Sequence, residues 1–454
     1  MSTFEGIALT EADSKVYRLI LLGRIRPVVE PKLLDSACAY RRGRGAADSQ
    51  FLMRRVIELA TAAGQTVWPV FVDFRRAFDS LDREVLWAAL RAYGVDPVVV
   101  DRVADLYADS GCRVRVNGTT SERFQPHAGV QQGCPLSPTL FNVYMDLVIR
   151  DFLSACTSAG IHGIEFSYKL PGRDEQRRHL FEVTFADDLA LTLASSTQAQ
   201  QALSILKGVA VRWGLILNWD KTVVVQMQPP SIPRVGPAES LTLDSGEEVK
   251  VVGSTKYIGL RVNDHGDQME EIRRRISSAS FAFHKWSRIL VDKRKRSAPC
   301  IKARTNLYKC YVLPALMYGG PEAWALPQDK LNGVAAIHNA FLRRILGRYR
   351  SGPGGAFLIS NADLHRLTGA RPLPSHLDEL RLRRLGHIAR MPDSCLVKQI
   401  LFANKLVGFP NLVGGPRRKW MDLANISLRH LQIEHTWYDI ALDRAGWSTI
   451  CSTV

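Results

Sequence analysis

Leu180-Phe181-Glu182-Val183-Thr184-Phe185, then Ala186-Asp187-Asp188, then Leu189-Ala190-Leu191-Thr192-Leu193: two apolar half-runs flank an acidic pair. Short apolar runs on either side of a polar interruption predict a buried β-hairpin with acid at its tip. Two adjacent carboxylates enclosed by apolar strands repel each other and lose hydration, so the pair needs either open solvent or a cation. A further carboxylate arrives in the same way upstream. Thr66-Val67-Trp68-Pro69-Val70-Phe71-Val72 is rich in β-branched and aromatic residues and ends in Asp73, which predicts a buried strand delivering an acid.

If those strands are neighbours, Asp73 and Asp187 can bridge two hard cations roughly 3.5–4 Å apart, the geometry of two-metal phosphoryl transfer. Magnesium is the natural ion for such an oxygen site. Spacing alone leaves two other readings open, the acidic pair of a receiver domain and a solvated acidic turn.

Working outward, Ser80-Leu81-Asp82 is a turn, and Glu84 to Tyr93 carries helical periodicity that stops near Gly94. Arg113-Val114-Arg115-Val116 alternates, Asn117-Gly118 signals a hairpin, and Ser121 to Pro126 is expected to return as the second strand. The loop Gly129-Val130-Gln131-Gln132-Gly133 precedes an apolar helix from Ser137 to Leu153. A helix from Gln198 to Trp213 and a strand from Thr222 to Gln226 follow. A further hairpin is expected to pair Val249–Val252 with Tyr257–Val262 across Gly253-Ser254. Upstream, Lys15 to Leu59 is mostly helical, broken by Tyr40-Arg41-Arg42-Gly43-Arg44-Gly45, whose charge and glycines suit either a phosphate backbone or a solvated turn. Beyond Gln268 the pattern is helical and basic. A domain boundary is expected near Ser351-Gly352-Pro353-Gly354-Gly355.

The chain has 454 residues, enough for several packed units, and its 46% hydrophobic and 23% charged content is that of a globular protein rather than a disordered tail. Lys plus Arg number 60 against 44 Asp plus Glu, a balance of +16 that gathers polyanions. The eight cysteines are scattered without a C-x-x-C pair, which argues against a disulfide framework or structural zinc. No apolar run reaches bilayer length and no signal peptide is evident, so an intracellular protein without a membrane partner is expected.

Phe71-Val72-Asp73-Phe74-Arg75-Arg76-Ala77-Phe78-Asp79, Gly129-Val130-Gln131-Gln132-Gly133-Cys134-Pro135-Leu136-Ser137-Pro138 and Phe185-Ala186-Asp187-Asp188 together resemble, in order, the palm motifs of non-LTR (LINE-type) retrotransposon reverse transcriptases. Gly214-Leu215-Ile216-Leu217-Asn218-Trp219-Asp220-Lys221-Thr222 is similar to the next palm motif, and Lys256-Tyr257-Ile258-Gly259-Leu260 to the primer-grip turn. Ala39 to Arg44 is similar to a fingers loop. Leu385 to Met391 and Gly415-Pro416-Arg417-Arg418-Lys419-Trp420 resemble the helical tail of some LINE-type elements.

The resemblance implies that Asp73, Asp187 and Asp188 are catalytic carboxylates holding two Mg²⁺ ions, with Mn²⁺ as a substitute. It implies that Lys221 assists the leaving pyrophosphate, and that Phe78 excludes a 2′-hydroxyl. Phe74, Gln132 and Gly133 would approach the incoming deoxynucleoside triphosphate, while Arg41, Arg44, Tyr257, Gly259, Arg274 and Lys285 would contact the RNA template and DNA primer. Read from its own residues, Phe78 is an ordinary core aromatic and Lys221 an exposed lysine. The basic run Lys293-Arg294-Lys295-Arg296 resembles a nuclear import signal, so a nuclear location with a cytoplasmic ribonucleoprotein stage is expected. Three departures stand out. Gln131 replaces a usual basic residue, Arg75-Arg76 replaces a usual Lys-Lys, and of the fingers segment that grips the triphosphate only Val16-Tyr17-Arg18-Leu19-Ile20 is present.

The expected fold is therefore α+β, a right-hand polymerase with truncated fingers over residues 1–67 and an antiparallel-sheet palm over 68–262. A helical thumb over 263–350 and a basic helical tail over 351–454 complete it. The expected function is RNA-directed DNA synthesis, with an endonuclease supplied by upstream sequence absent here. Two rivals stand beside it: a decayed or domesticated remnant that binds nucleic acid without polymerising, and a palm-type nucleotidyl cyclase.

Overall fold

The computed structural model describes residues 8–108, 110–228, 240–266, 268–291, 300–319, 324–326, 328–347, 359–409 and 419–453. The run Lys293–Arg296, the linker Ser351–Gly355 and the stretch 415–418 lie outside the described residues. Among the described residues no helix is long and apolar enough to cross a membrane.

The described chain opens with α1 (Ala12–Val29), a 3-10 turn (Glu30–Lys32), α2 (Ala46–Ala62), β1 (Trp68–Val72), the short α3 (Ala77–Ser80), α4 (Arg83–Ala92) and α5 (Pro97–Ala108). Next come β2 (Arg115–Val116), β3 (Thr119–Thr120), the long α6 (Ser137–Ser158), β4 (Ile164–Tyr168), β5 (Gln176–Leu180), β6 (Glu182–Phe185), β7 (Asp188–Leu193) and α7 (Ser196–Arg212). Strands β8 (Val223–Val224), β9 (Ser240–Thr242), β10 (Glu248–Val251), β11 (Ser254–Tyr257) and β12 (Leu260–Asn263) follow. The rest is helical: α8 (Met269–Lys285), α9 (Ser287–Leu290), α10 (Ile301–Tyr311), α11 (Leu313–Met317), α12 (Gln328–Leu346), α13 (Asn361–Thr368), α14 (Leu373–Ala389) and α15 (Leu396–Leu401). One strand, β13 (Ala403–Leu406), interrupts before α16 (Trp420–His430), α17 (Trp437–Leu442) and α18 (Arg444–Cys451).

Packing divides the chain into two units, Met1–Ser49 with Thr66–Phe166 and Arg177–Gly253, and Gln50–Gln65 with Ser167–Gln176 and Ser254–Val454. The first is built on a six-stranded sheet in the order β6-β7-β1-β8-β10-β9, antiparallel throughout except for the β8/β10 pair. All five β1 residues are buried, which explains why its sequence is uniformly apolar instead of alternating. Phe141, Tyr144 and Val148 of α6 and Leu203, Leu206 and Val209 of α7 join Val70 and Val72 of β1 in one core cluster. Helix α4 starts where Asp82 accepts a hydrogen bond from the Val85 amide at 3.1 Å, and it ends just before Gly94 at φ 83°.

The second unit has its own core from α8, α10, α11, α12, α13 and α14, including Phe283, Tyr308, Leu316, Phe341 and Leu373. The α2 segment from Gln50 is part of this body. The Arg55 guanidinium donates to the Ala403 carbonyl at 2.9 Å and to the Ile400 carbonyl at 3.3 Å, and it pairs with Glu58, which also accepts from the Trp420 amide at 3.3 Å. The tail is thus integral to this unit and not an appendage.

Three sequence expectations shift. Val249–Val252 does not pair with Tyr257–Val262; β10 joins β8 and β9 in the sheet, while β11 and β12 form their own hairpin across Ile258-Gly259. The exposed hairpin starts its return earlier than expected, at Thr119–Thr120, immediately after Asn117 (φ 48°) and Gly118 (φ 87°), and continues through the expected segment, where the Ser121 amide donates to the Val114 carbonyl at 2.9 Å and Phe124 bridges Cys112. Two left-handed residues make a two-residue turn, so the partner strand begins at once. The strand expected over Thr222–Gln226 contracts to Val223–Val224.

Candidate active site

The register of β1 against β7 pairs Val72 with Leu189, so Asp73 comes one step further on, opposite Asp188. The β6/β7 hairpin pairs Phe185 with Asp188, leaving Ala186 and Asp187 as the whole turn. Ala186 sits at φ 56°, a left-handed conformation that disfavours an L side chain and points to a site where geometry outweighs local comfort. One end of the sheet therefore gathers Asp73, Asp187 and Asp188, since β1 and β7 are neighbours. The hairpin is braced at its edge: the Cys38 amide donates to the Thr184 carbonyl at 3.0 Å, and the Thr184 amide donates to the Ser36 carbonyl at 3.1 Å. Ser36 Oγ donates to Glu182 at 2.7 Å. Full burial pushes the Glu182 carboxyl up to about 7, only partly offset by that hydrogen bond.

Asp73 is fixed by the segment that follows α7. Its amide donates to Thr222 Oγ1 at 3.3 Å, its carbonyl accepts from the Asn218 amide at 2.8 Å, and its Oδ2 accepts from Asn218 Nδ2 at 2.8 Å. Lys221 Nζ lies 3.7 Å from the same Oδ2. The lysine is well exposed, so this pair adds little stability. Its effect is to lay a mobile positive charge beside the carboxylate. Asn218, unremarked from its own chemistry in the sequence, proves to be the residue that orients Asp73.

Phe78, on α3, is half-buried and stacks on Phe141 with ring centroids 4.0 Å apart and planes 1° from parallel. The Tyr40 ring meets it edge-on at 6.5 Å and 90°. The glycine loop is seated against the same helix. The Val130 amide donates to the Phe78 carbonyl at 2.8 Å, and a Cβ on Gly129 would fall 2.5 Å from the Asp79 Cα, so only glycine fits there. Gly133 is exposed at φ 97°, and the Gln132 carbonyl accepts from the Ala8 amide at 2.7 Å.

Phe74 is used differently from expectation. It is buried at 4% exposure in the core, and its backbone bridges to Leu217, so its ring stabilises the unit instead of meeting a nucleotide. Arg41 and Arg44 are also turned inward. Arg41 donates to the carbonyls of Leu34 (2.7 Å), Ala37 (3.0 Å) and Glu30 (3.0 Å), while Arg44 pairs with Asp35 at 3.3 Å. In this arrangement they staple the loop rather than offer charge to a phosphate. Arg18 is likewise buried, its Nη1 donating to Cys134 Sγ at 3.0 Å behind the glycine loop. That position supports the loop.

In the second unit, Ile258 (φ 45°) and Gly259 (φ 76°) form the β11/β12 turn. Gln50 Nε2 donates to the Ile258 carbonyl at 2.7 Å, and Arg274 Nη2 donates to the Gly259 carbonyl at 2.6 Å, where Arg275 also donates. Tyr257 is buried at 3% exposure, so its side chain packs inside the unit and does not face outward as a nucleic-acid contact. Arg274 acts on Gly259 and Glu271, a positioning use in place of the expected direct nucleic-acid contact. Lys285, at the last turn of α8, is exposed.

Among the described residues no cluster of three or more His, Cys, Asp or Glu forms a ready-made cation cage. Mg²⁺ does not require one, since it is usually held by one or two carboxylates plus substrate phosphates. Asp73, Asp187 and Asp188 fit that pattern.

A sheet end presenting three carboxylates, beside a half-buried aromatic and a close-packed glycine loop, defines the palm of a right-hand polymerase. The chain belongs to the reverse transcriptase (RNA-dependent DNA polymerase) family, whose profile matches residues 2–262. It is similar to the retrovirus-related Pol polyprotein from the type-2 retrotransposable element R2DM of Drosophila melanogaster, 30% identical over 226 residues, 49% of this chain and 20% of that one. It is also similar to the Pol polyprotein from the type-1 element R2 of Popillia japonica, 26% identical over 277 residues, 59% of this chain and 41% of that one. The match is thus of the non-LTR, LINE type, and the chain spans 20% and 41% of the length of these two relatives. Among solved structures, apo telomerase from Candida tropicalis aligns with 95% of this chain and 60% of its own at 12% identity and a TM-score of 0.41.

Proposed function

We propose that this chain copies an RNA template into DNA, adding deoxynucleotides to a primer by two-metal nucleotidyl transfer. The observation that carries the reading is the register that sets Asp73 opposite Asp188 with Asp187 in the adjoining turn. Asp73 and Asp187 would hold both Mg²⁺ ions, supported by Asp188. When bound, the ions would lower the pKa of the primer 3′-hydroxyl and offset the charge of the leaving pyrophosphate. The protein's own part is positioning. Asn218 keeps Oδ2 of Asp73 aimed, the strained Ala186 turn presents Asp187, and Lys221 supplies positive charge beside Asp73 for a departing anion. Phe78, backed by Phe141, stands as a bulky wall against a 2′-hydroxyl. Exposed Arg273 and Lys285 on α8 offer charge to the phosphates of an RNA:DNA duplex. A nuclear site of action follows from the need of retroelement copying for chromosomal DNA.

The test is primer extension on poly(rA) with oligo(dT), dTTP and Mg²⁺, comparing wild type with Asp187→Asn. Extension by the wild type alone is the expected result. No extension by either, with the duplex still bound, would replace this reading with that of a nucleic-acid-binding remnant.

A further inference from the structure

Phe78 can reject a 2′-hydroxyl only if its ring does not yield. Steric exclusion of one oxygen is no stronger than the restraint on the side chain that performs it. The stack on Phe141 covers one face of Phe78, but parallel rings slide over each other easily. A contact that opposes sliding is the perpendicular one from Tyr40, at 6.5 Å and 90°.

The loop around Tyr40 is held on both sides of that half-exposed residue. Tyr40 sits at φ 58°, where an L side chain is strained. On one side, the Ala39 carbonyl accepts from Asn142 Nδ2 of α6 at 2.8 Å, and Cys38 bonds to Thr184 in β6. On the other, Arg41 is stapled to three backbone carbonyls. The backbone beside Tyr40 is thus pinned to α6, which carries Phe141, and to β6, which leads into the acidic turn. Burial, and then the charges of Asp187 and Asp188, raise the Tyr40 hydroxyl above the ordinary tyrosine pKa.

We propose that Tyr40 is a second specificity-determining residue for sugar selection, its ring locking Phe78 in the position that excludes a ribose 2′-hydroxyl. The assignment rests on the reading of Phe78 and the carboxylates given above. It predicts a division of labour within one side chain: the ring sets selectivity, while the hydroxyl is dispensable for it.

The experiment measures kcat/KM for dTTP and for UTP on poly(rA)/oligo(dT) with wild type, Tyr40→Ala, Tyr40→Leu, Tyr40→Phe and Phe78→Ala. Thermal melts check that each variant folds. Tyr40→Ala is expected to lower the dTTP/UTP ratio roughly two- to tenfold, the range that one edge-to-face aromatic contact is worth. Tyr40→Phe keeps the wild-type ratio, and Phe78→Ala lowers it further than Tyr40→Ala. Tyr40→Leu retains bulk without a planar edge and gives the same answer if the alanine variant does not fold. A drop with Phe78→Ala but not with Tyr40→Ala or Tyr40→Leu overturns the role of Tyr40 and leaves the polymerase reading intact. An equal drop with Tyr40→Phe overturns it too, since the hydroxyl would then be the agent. Failure of the wild type to extend at all removes the parent reading and this assignment with it.

Discussion

Two hairpin turns of this molecule have the same length and opposite designs. The β6/β7 turn is Ala186-Asp187 and the β11/β12 turn is Ile258-Gly259, and each places an L residue in the left-handed region. In the first, the strand is braced through its backbone edge by Ser36 and Cys38, and the turn delivers side chains, with Asp188 exposed and Asp187 half-exposed. In the second, the carbonyls of the turn are held by Gln50, Arg274 and Arg275, and its neighbouring side chains are buried or half-buried. The first turn is built to hold charge, the second to hold shape. Substitutions at the first should therefore change chemistry, and substitutions at the second should change stability.

The sharpest break between them is Asp187→Asn. It should reduce extension roughly 100- to 1,000-fold, the scale of losing one transition-state electrostatic contact, while duplex affinity in a filter-binding assay stays within about twofold of wild type, the margin of a sequence-independent phosphate term left untouched. Collapse of binding together with activity would show that charge and grip are not separable. At the second turn, Arg275→Ala strips a partner from Glu271, whose side chain is fully buried. A loss of about 3 kcal/mol in chemical denaturation is expected, as for a broken buried pair. An unchanged midpoint would mean that Arg274 and the Arg261 amide suffice for Glu271.

Behind the first turn, Glu182 makes the comparison depend on pH. Its folded value, about 7, lies above the ordinary carboxylate range, so its protonated form is the one that favours folding. That contribution is complete in acid and is lost as pH rises through about 7. Glu182→Gln should therefore raise the melting temperature relative to wild type more at pH 8 than at pH 5; the reverse order would disprove the buried neutral acid. The smallest effect belongs to the backbone of the second turn. Gly259→Ala sets a Cβ 2.6 Å from Tyr318 at φ 76° and should cost about 1–2 kcal/mol, whereas Ile258→Asn should gain up to about 1 kcal/mol by easing a β-branched residue out of strain. Equal and opposite melts would confirm that strain, not contact, sets the level.

Much of the first turn was legible because its strands are apolar on both faces and its acids interrupt them abruptly. The end of β1 at Val72 is legible for the same reason, although the strand starts at Trp68 and not at the expected Thr66. The second turn lies where the resemblance of Lys256–Leu260 to a primer grip has it, whereas residue pattern alone points to Gly253-Ser254, because that pair looks like a turn and Ile258 does not. Helix α5 went unread: Pro97-Val98-Val99-Val100 has poor helix propensity, overridden by burial of Val99, Val100, Val103 and Tyr107. The inward turn of Arg41, Arg44 and Phe74 was equally invisible. A guanidinium or ring declares its type in the sequence, but its partner is chosen by folding.

The reach of Arg55 and Glu58 to Ala403 and Trp420 bears on how the chain is born. The Arg55–Ala403 bond spans 348 positions, which a ribosome takes roughly twenty to seventy seconds to synthesise at ordinary elongation rates. Throughout that interval the buried face of α2 waits without the groups that neutralise it. A message cut short before the tail would release a polypeptide in which Arg55 lacks the Ile400 and Ala403 carbonyls and Glu58 lacks the Trp420 amide, so polar groups that the finished chain buries would have no partner.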